Sequence, residues 1–296
     1  MLPQRRIESC EPERAPSVDP TREFSFSDAD FYGFVELARM HTGIALADSK
    51  RNLIYSRLSR RLRALGLGSF ADYRALLLSP EGTSEIEHFI NAISTNLTKL
   101  FREAHHFDHL RSHVAARFAQ SVRARPCGRL RIWSAGCSTG EEPYTIAMVL
   151  RREMPDIARH DVRLLATDID TEVLGKAARG EYSLAALDDV PAAYRDLIPP
   201  RGGSGTVVMD ERLRGLIRFR RLNLMEEPWP FGGHFDAVFC RNVMIYFDGP
   251  TKTKLIDRFV QKLKPGGWLY IGHSESLLGS HDKLELVGRT IYRRLP

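Results

Sequence analysis

RLRIWSAGCSTGEEPYTIAMVLRREM (129–154) runs from a short apolar stretch through a turn of small residues into a segment of helical periodicity. A strand, a turn and a helix in that order open a βαβ unit, and nucleotide-sized ligands sit where such a strand meets its helix. Small residues at the turn let a ligand reach the backbone, which makes Ala135 and Gly136 candidate contacts. The alternation continues downstream. VRLLATD (162–168), FDAVFC (235–240) and GWLYIGH (267–273) read as strands, and TEVLGKAARG (171–180) and TKTKLIDRFVQKL (251–263) as helices. Strands interleaved with helices predict a mostly parallel sheet covered on both faces, an α/β domain over 127–296. The segment 182–219 interrupts the pattern: RGGSG (201–205) is turn-prone, with Val207, Val208, Leu216 and Ile217 after it. A small antiparallel insertion is expected there.

The turn argues about its ligand. Gly136 and Gly140 do not make a GxGxxG, and Glu141 with Glu142 stands where a pyrophosphate needs backbone donors and positive charge. A carboxylate there suits a cationic ligand such as an amine or a sulfonium, and S-adenosylmethionine carries both without a phosphate. The plainer reading is that the glutamates complement the helix dipole. Asp168, at the tip of the next strand, suits the two hydroxyls of a ribose, whereas Asp170 suits an N-cap. Asn223 falls at the end of a further strand, where its amide would read an adenine edge or simply form a turn. Arg241, Asn242 and Tyr246 follow the strand FDAVFC at its ligand-facing end. No Asp/Asn-Pro-Pro-aromatic sequence stands there, which argues against an amino-methylating enzyme of that type.

Upstream the pattern is helical. Ser27 with Asp30 forms a capping signature, Phe31, Phe34, Val35 and Ala38 follow at helical spacing, and Gly43 is a stop. Asp48 is placed to cap a second helix with the stripe Leu53, Ile54, Leu58, Leu62 and Leu65; Ser69 and Ser84 are placed to open two more. A small all-α domain over 24–93 is expected, then a linker over 94–126 whose helix runs from about Arg102 to Arg123. The polar, proline-bearing segment 1–23 reads as a disordered tail.

No apolar run in the 296 residues is long enough to span a bilayer. Cys10, Cys127, Cys137 and Cys240 are scattered without CxxC spacing, so neither a disulfide framework nor a metal site is expected, and a cytoplasmic location is. The net charge of +6 fits nucleic acid and an acidic protein surface equally. Its distribution is more telling: 49–63 holds Lys50, Arg51, Arg57, Arg60, Arg61 and Arg63 and no acid. That run is either a solvated face or an electrostatic dock.

Five stretches, STNLTKLFREAHHF (94–107), WSAGCSTGEEPYTIA (133–147), ATDIDTEVL (166–174), FDAVFCRNVMIYFD (235–248) and LKPGGWLYIGHSE (263–275), together resemble the CheR family of chemotaxis receptor glutamate methyltransferases. The resemblance runs from about Phe31 to the C-terminus. It implies a Rossmann-like class I methyltransferase domain with a small antiparallel β insertion, preceded by a small all-α domain. It implies S-adenosylmethionine as cofactor, S-adenosylhomocysteine as product, and the cytoplasmic methylation helices of chemoreceptors as partners. By the same resemblance Asn96, Thr98 and Arg102 contact the cofactor or the reacting centre, Glu141 holds the methionine amino end and Asp168 the ribose. Asn223 and Leu224 lie along the adenine, Arg241 and Asn242 at the strand tip, and Tyr246 beside the transferred methyl. Arg57, Arg60 and Arg61 become candidate docking residues for the receptor.

The chemistry is self-consistent. Free glutamate, with a pKa near 4.3, is ionised at neutral pH, so its methylation needs alignment rather than a general base. Arg102 is placed to orient the incoming carboxylate and Tyr246 to donate to it, as catalytic groups, while the adjacent His105 and His106 are expected to pack rather than transfer protons. Two other readings remain: a nucleic-acid methyltransferase, and a non-catalytic protein that senses S-adenosylmethionine. A monomer, with no nucleic-acid partner and no membrane insertion, is the default expectation.

Overall fold

Ser27 opens the first helix through a reciprocal cap: its hydroxyl accepts from the Asp30 N–H at 3.1 Å, and the Asp30 carboxylate accepts from the Ser27 N–H at 2.9 Å. This helix, α1 (Asp28–Thr42), stops at Gly43, whose φ of +73° suits glycine. α2 (Arg51–Leu65), α3 (Phe70–Leu78, capped by Ser69) and α4 (Glu85–Ile93) follow. Asp48 and Ser84 do not cap by side chain as expected; each belongs to a 3₁₀ turn, Asp48–Lys50 and Pro80–Ser84, that feeds the helix instead. Phe31, Phe34, Ile54, Leu58, Phe70, Tyr73 and Phe89 close one apolar core among the four helices. Leu65 is not part of that stripe, being 38% exposed at the helix end.

The structure is a computed structural model that describes residues 22–124, 128–200, 205–277 and 281–296. Most of the expected tail, with Cys10, lies outside the described residues, as do Cys127 and positions 201–204 of RGGSG. The linker helix starts later than expected, at His105, because Phe101 (φ +53°) and Glu103 (φ +58°) turn the chain left-handed just before it. It runs as α5 (His105–His109), a π-helical turn (Leu110–Ala115) and α6 (Ala116–Ala124).

Strands β1 (Arg129–Ala135) and β2 (Asp161–Asp168) come next, then a hairpin of β3 (Glu181–Ser183) and β4 (Thr206–Val208). β5 (Ile217–Arg221), β6 (Phe235–Cys240), β7 (Leu263–Ile271), β8 (Leu284–Gly288) and β9 (Ile291–Arg294) follow. The main sheet has the order β5-β2-β1-β6-β7-β9-β8, parallel from β5 to β7 and antiparallel at β9 and β8. α7 (Glu141–Glu153) and α8 (Thr171–Arg179) connect its first half; two four-residue helices, α9 (Leu184–Leu187) and α10 (Glu211–Arg214), flank the hairpin, and α11 (Gly249–Lys262) leads to β7. Leu130, Ile132, Met148, Leu164 and Phe239 fill one side of the sheet, and Trp133, Val238, Phe259 and Leu269 the other. β3 and β4 pair antiparallel in their own two-stranded sheet. Ile217–Phe219, counted with the insertion by its apolar character alone, instead pairs with Leu164–Ala166 as an edge of the main sheet.

Helices and sheet meet at a polar seam. The Ala45 N–H donates to the Tyr246 carbonyl at 2.8 Å, Asn91 Nδ2 to Thr171 Oγ1 at 3.0 Å, and Asn223 Nδ2 to the His41 carbonyl at 2.7 Å. That seam brings the α1–α2 connection over the C-terminal ends of β1 and β6. There the strand order reverses, which is where an open α/β sheet holds its ligand.

Candidate active site

A cavity of about 380 Å³ opens at that point, walled by the helical domain, the linker and the strand tips. The volume is in the range of small-molecule sites. Asn96, Thr98, Arg102, Gly136, Asp168, Asn223, Leu224, Arg241, Asn242 and Tyr246, singled out from sequence, all line it. Ala135 and Glu141 do not. Ala135 is the buried last residue of β1, and Glu141, first in α7, turns back to accept from Thr139 Oγ1 at 2.6 Å. Its neighbour Glu142, about 100° further round the helix, lines the cavity.

The glycine turn is built for close approach. Gly136 has φ +81°, and a Cβ added there would run into the Val243 side chain. Its N–H and that of Cys137 donate to the Thr167 carbonyl at 2.8 and 2.9 Å, so the turn folds over the end of β2. Asp168 ends that strand. Its carboxylate accepts from the Ser138 N–H at 2.8 Å and the Asp170 N–H at 3.0 Å. Burial raises its pKa, and these N–H donors oppose the rise. Asp170 caps α8 through the Glu172 and Val173 N–H groups and accepts from Asn96 Nδ2 at 2.7 Å, which ties the linker to the sheet.

Arg241, its side chain only 3% exposed, organises the floor. Its Nη1 donates to Glu142 Oε2 at 2.9 Å, its Nη2 lies 3.4 Å from Glu103 Oε2 and donates to the Arg102 carbonyl, and its guanidinium sits over the Phe107 ring. Burial pushes the Glu142 carboxyl up and Arg241 pulls it down. For Glu103 burial is outweighed by a 2.9 Å hydrogen bond with His273 Nδ1 and by the Arg241 charge, which hold it down at about 2. His106 beside it is fully buried and lowered to about 3 by desolvation, so it is neutral near pH 7 and packs, as the sequence suggested for it. Arg102 donates from Nη1 to the Leu97 carbonyl at 2.9 Å.

Asn242, with φ +58°, and the 3₁₀ turn Met244–Tyr246 hang from Glu275, which sequence reasoning quoted but gave no role. Glu275 accepts from the N–H groups of Asn242 (2.9 Å), Ile245 (3.1 Å) and Gly272 (2.5 Å). Asn223 lines the cavity with the turn-forming contacts that its position also allowed: one amide end holds the His41 carbonyl and the other accepts from the Met225 N–H, which docks α1. The basic helix has partners within its own domain. Arg57 donates to the Ala92 and Ser94 carbonyls at 3.1 and 2.5 Å, and Arg61 forms a bidentate pair with Glu85 at 2.8 and 2.7 Å. Both hold the helical core together, because α2 packs its basic face on α4; Arg60 is exposed.

The donor set fits one kind of ligand. Asp168 offers a carboxylate for a diol and Glu142 one for a cation, and the helix that follows the glycine turn opens on two acidic side chains, where a phosphate would need free N–H donors. Residues 29–94 match the model of the CheR methyltransferase all-alpha domain, and residues 96–293 that of the CheR methyltransferase SAM binding domain. The chain belongs to the CheR methyltransferase family. It is 45% identical to Chemotaxis protein methyltransferase 2 of Pseudomonas aeruginosa, covering 95% of this chain and 99% of that one. Against the chemotaxis protein methyltransferases of Salmonella typhimurium and Escherichia coli it is 42% identical over 92% of its length, covering 92% and 93% of theirs. This CheR chain is thus an S-adenosylmethionine-dependent methyltransferase of chemotaxis. No helix among its described residues is long and apolar enough to cross a membrane.

Proposed function

We propose that this CheR protein transfers the methyl group of S-adenosylmethionine to glutamate side chains of chemoreceptor cytoplasmic helices, forming methyl esters in the cytoplasm. The observation that carries the reading is the state of the carboxylates and bases around the cavity. Among the described lining residues there is no histidine, and the two carboxylates, Glu142 and Asp168, are engaged by Arg241 and by backbone N–H groups. No lining residue is set up as a general base. A nucleophile that arrives already ionised, as a carboxylate does, needs none.

S-adenosylmethionine supplies an electrophilic methyl on a sulfonium centre. Asp168 would accept from the ribose hydroxyls, and Glu142, oriented by Arg241, would accept from the ammonium end. Gly136 admits the ligand to the backbone of the turn. Arg102 would present N–H donors to the incoming carboxylate: the Leu97 carbonyl takes one of the five that a guanidinium carries, and the Arg102 Nε lies 3.9 Å from Glu103 Oε1. Tyr246, fixed through its carbonyl by Ala45, lines the same cavity. Holding the oxygen in line with the carbon–sulfur bond is the work of these two residues, and alignment alone is worth about 7 kcal/mol or more of a barrier.

Peptide mapping by mass spectrometry of a chemoreceptor cytoplasmic fragment incubated with enzyme and S-adenosylmethionine tests the reading. Methyl groups on glutamate side chains support it; methyl groups on lysine, arginine or no protein residue overturn it.

A further inference from the structure

The cavity has two electrostatic zones. Its interior holds the carboxylates Glu142 and Asp168, both at 11% exposure or less. Its exposed lining residues are different: Lys50, Lys99, Ala45, Ala47, Leu97 and Ile245, with no acid among them. Leu97, 84% exposed, is the most exposed large hydrophobic among the described residues, and Ile245 is 45% exposed.

Leu97 is not loose. Its neighbour Asn96 is held on Asp170 through its side chain and on Ser138 Oγ through its carbonyl, and the Leu97 carbonyl receives Arg102. Ile245 is held by its N–H on Glu275. Two backbones pinned by buried polar groups thus present apolar side chains to water on the rim of one cavity, beside two ammonium groups. Single exposed apolar residues are ordinary, but a paired apolar rim at a site mouth marks a contact surface. The Lys99 pair with Asp189, at 3.4 Å between half-exposed groups, is weak enough to exchange for a partner's acid.

Resting on the methyl-transfer reading above, we propose that Leu97 and Ile245 are the docking rim for the receptor segment. They receive apolar side chains next to the accepting glutamate, while Lys50 and Lys99 receive further acidic groups of the same segment. The partner is therefore an acidic, amphipathic peptide face, recognised by apolar contact at the mouth and by charge around it.

The test is steady-state methyl transfer to a purified chemoreceptor cytoplasmic fragment by the full chain and its Leu97→Ser/Ile245→Ser variant, with S-adenosylmethionine affinity measured by calorimetry. Losing two apolar contacts is expected to raise KM for the fragment about tenfold or more. S-adenosylmethionine affinity should shift by less than about threefold, a factor well under the tenfold that 1.4 kcal/mol represents. Lys99→Gln should flatten the salt dependence of KM. An unchanged fragment KM in the double variant overturns the proposal, as does an equal fall in S-adenosylmethionine affinity, which would assign the rim to the cofactor. Absence of transfer by the unmodified enzyme overturns the receptor reading itself, and is told apart because no variant is then needed to see it.

Discussion

Replacing Glu103 with glutamine removes one charge from the floor of the site while keeping its shape. Glu103 faces Arg241 at 3.4 Å, His106 at 3.5 Å and His273 at 2.9 Å, with its side chain 10% exposed. Its pKa is held at about 2 against an ordinary 4.5, and that interval corresponds to about 3 kcal/mol of stability. Because His273 is 67% exposed, solvent screens part of the sum, and about 2 kcal/mol is the expected loss near neutral pH. The sign follows from the depressed pKa: the folded state binds fewer protons than the unfolded one between the two values. The contribution is therefore complete above 4.5 and disappears as the pH falls toward about 2. Denaturant unfolding followed by the fluorescence of Trp133, Trp229 and Trp268, all in the sheet domain, measures it. At pH 7 Glu103→Gln should lose about 2 kcal/mol, and at a pH of about 3 less than half of that. A difference that stays the same at both pH values, or is under about 0.5 kcal/mol at pH 7, the scatter of ordinary surface substitutions, refutes the assignment of the charge to this network.

Asp168→Asn should weaken S-adenosylmethionine binding by about tenfold to a hundredfold, the worth of a hydrogen bond to a charged group, as read by calorimetry. Gly136→Ala forces a side chain into φ +81° and into Val243, and should lower thermal stability by about 1–3 kcal/mol together with cofactor affinity. Arg57→Ala should destabilise the helical domain by about 1.5–3 kcal/mol because the Ala92 and Ser94 carbonyls lose a charged donor. Arg60→Ala, on the exposed face, should stay within about 0.5 kcal/mol in the same denaturation experiment.

The sheet and its connections were legible because hydrophobic alternation between strands and helices is a local signal: VRLLATD and FDAVFC carry it within a few residues. The strand-tip part of the candidate site was legible for a related reason, since strand tips and the turn after β1 hold ligands in any such sheet, whereas Asn96, Thr98, Arg102 and Leu224 entered only through the family resemblance. What local pattern could not supply was direction. Glu141 and Glu142 are adjacent and chemically alike, and only the helix phase sends one toward Thr139 and the other toward Arg241. Arg57 and Arg61 have the same composition signal as a docking face, yet their partners, the end of α4 and Glu85, lie 24 to 37 residues away. Glu275 was visible as the last residue of a quoted stretch, but its three N–H partners come from two different loops. The late start of the linker helix came from left-handed residues, Phe101 and Glu103, whose identities give no warning of it.

The central claim is that the cavity joins a sulfonium methyl to a carboxylate oxygen. Methyl-labelled S-adenosylmethionine, a chemoreceptor cytoplasmic fragment and the enzyme are incubated together, and the labelled fragment is treated with mild alkali. Label released as methanol is the predicted result, since an ester hydrolyses under those conditions. Label that stays on the fragment would mean transfer to nitrogen or carbon, and would contradict the account.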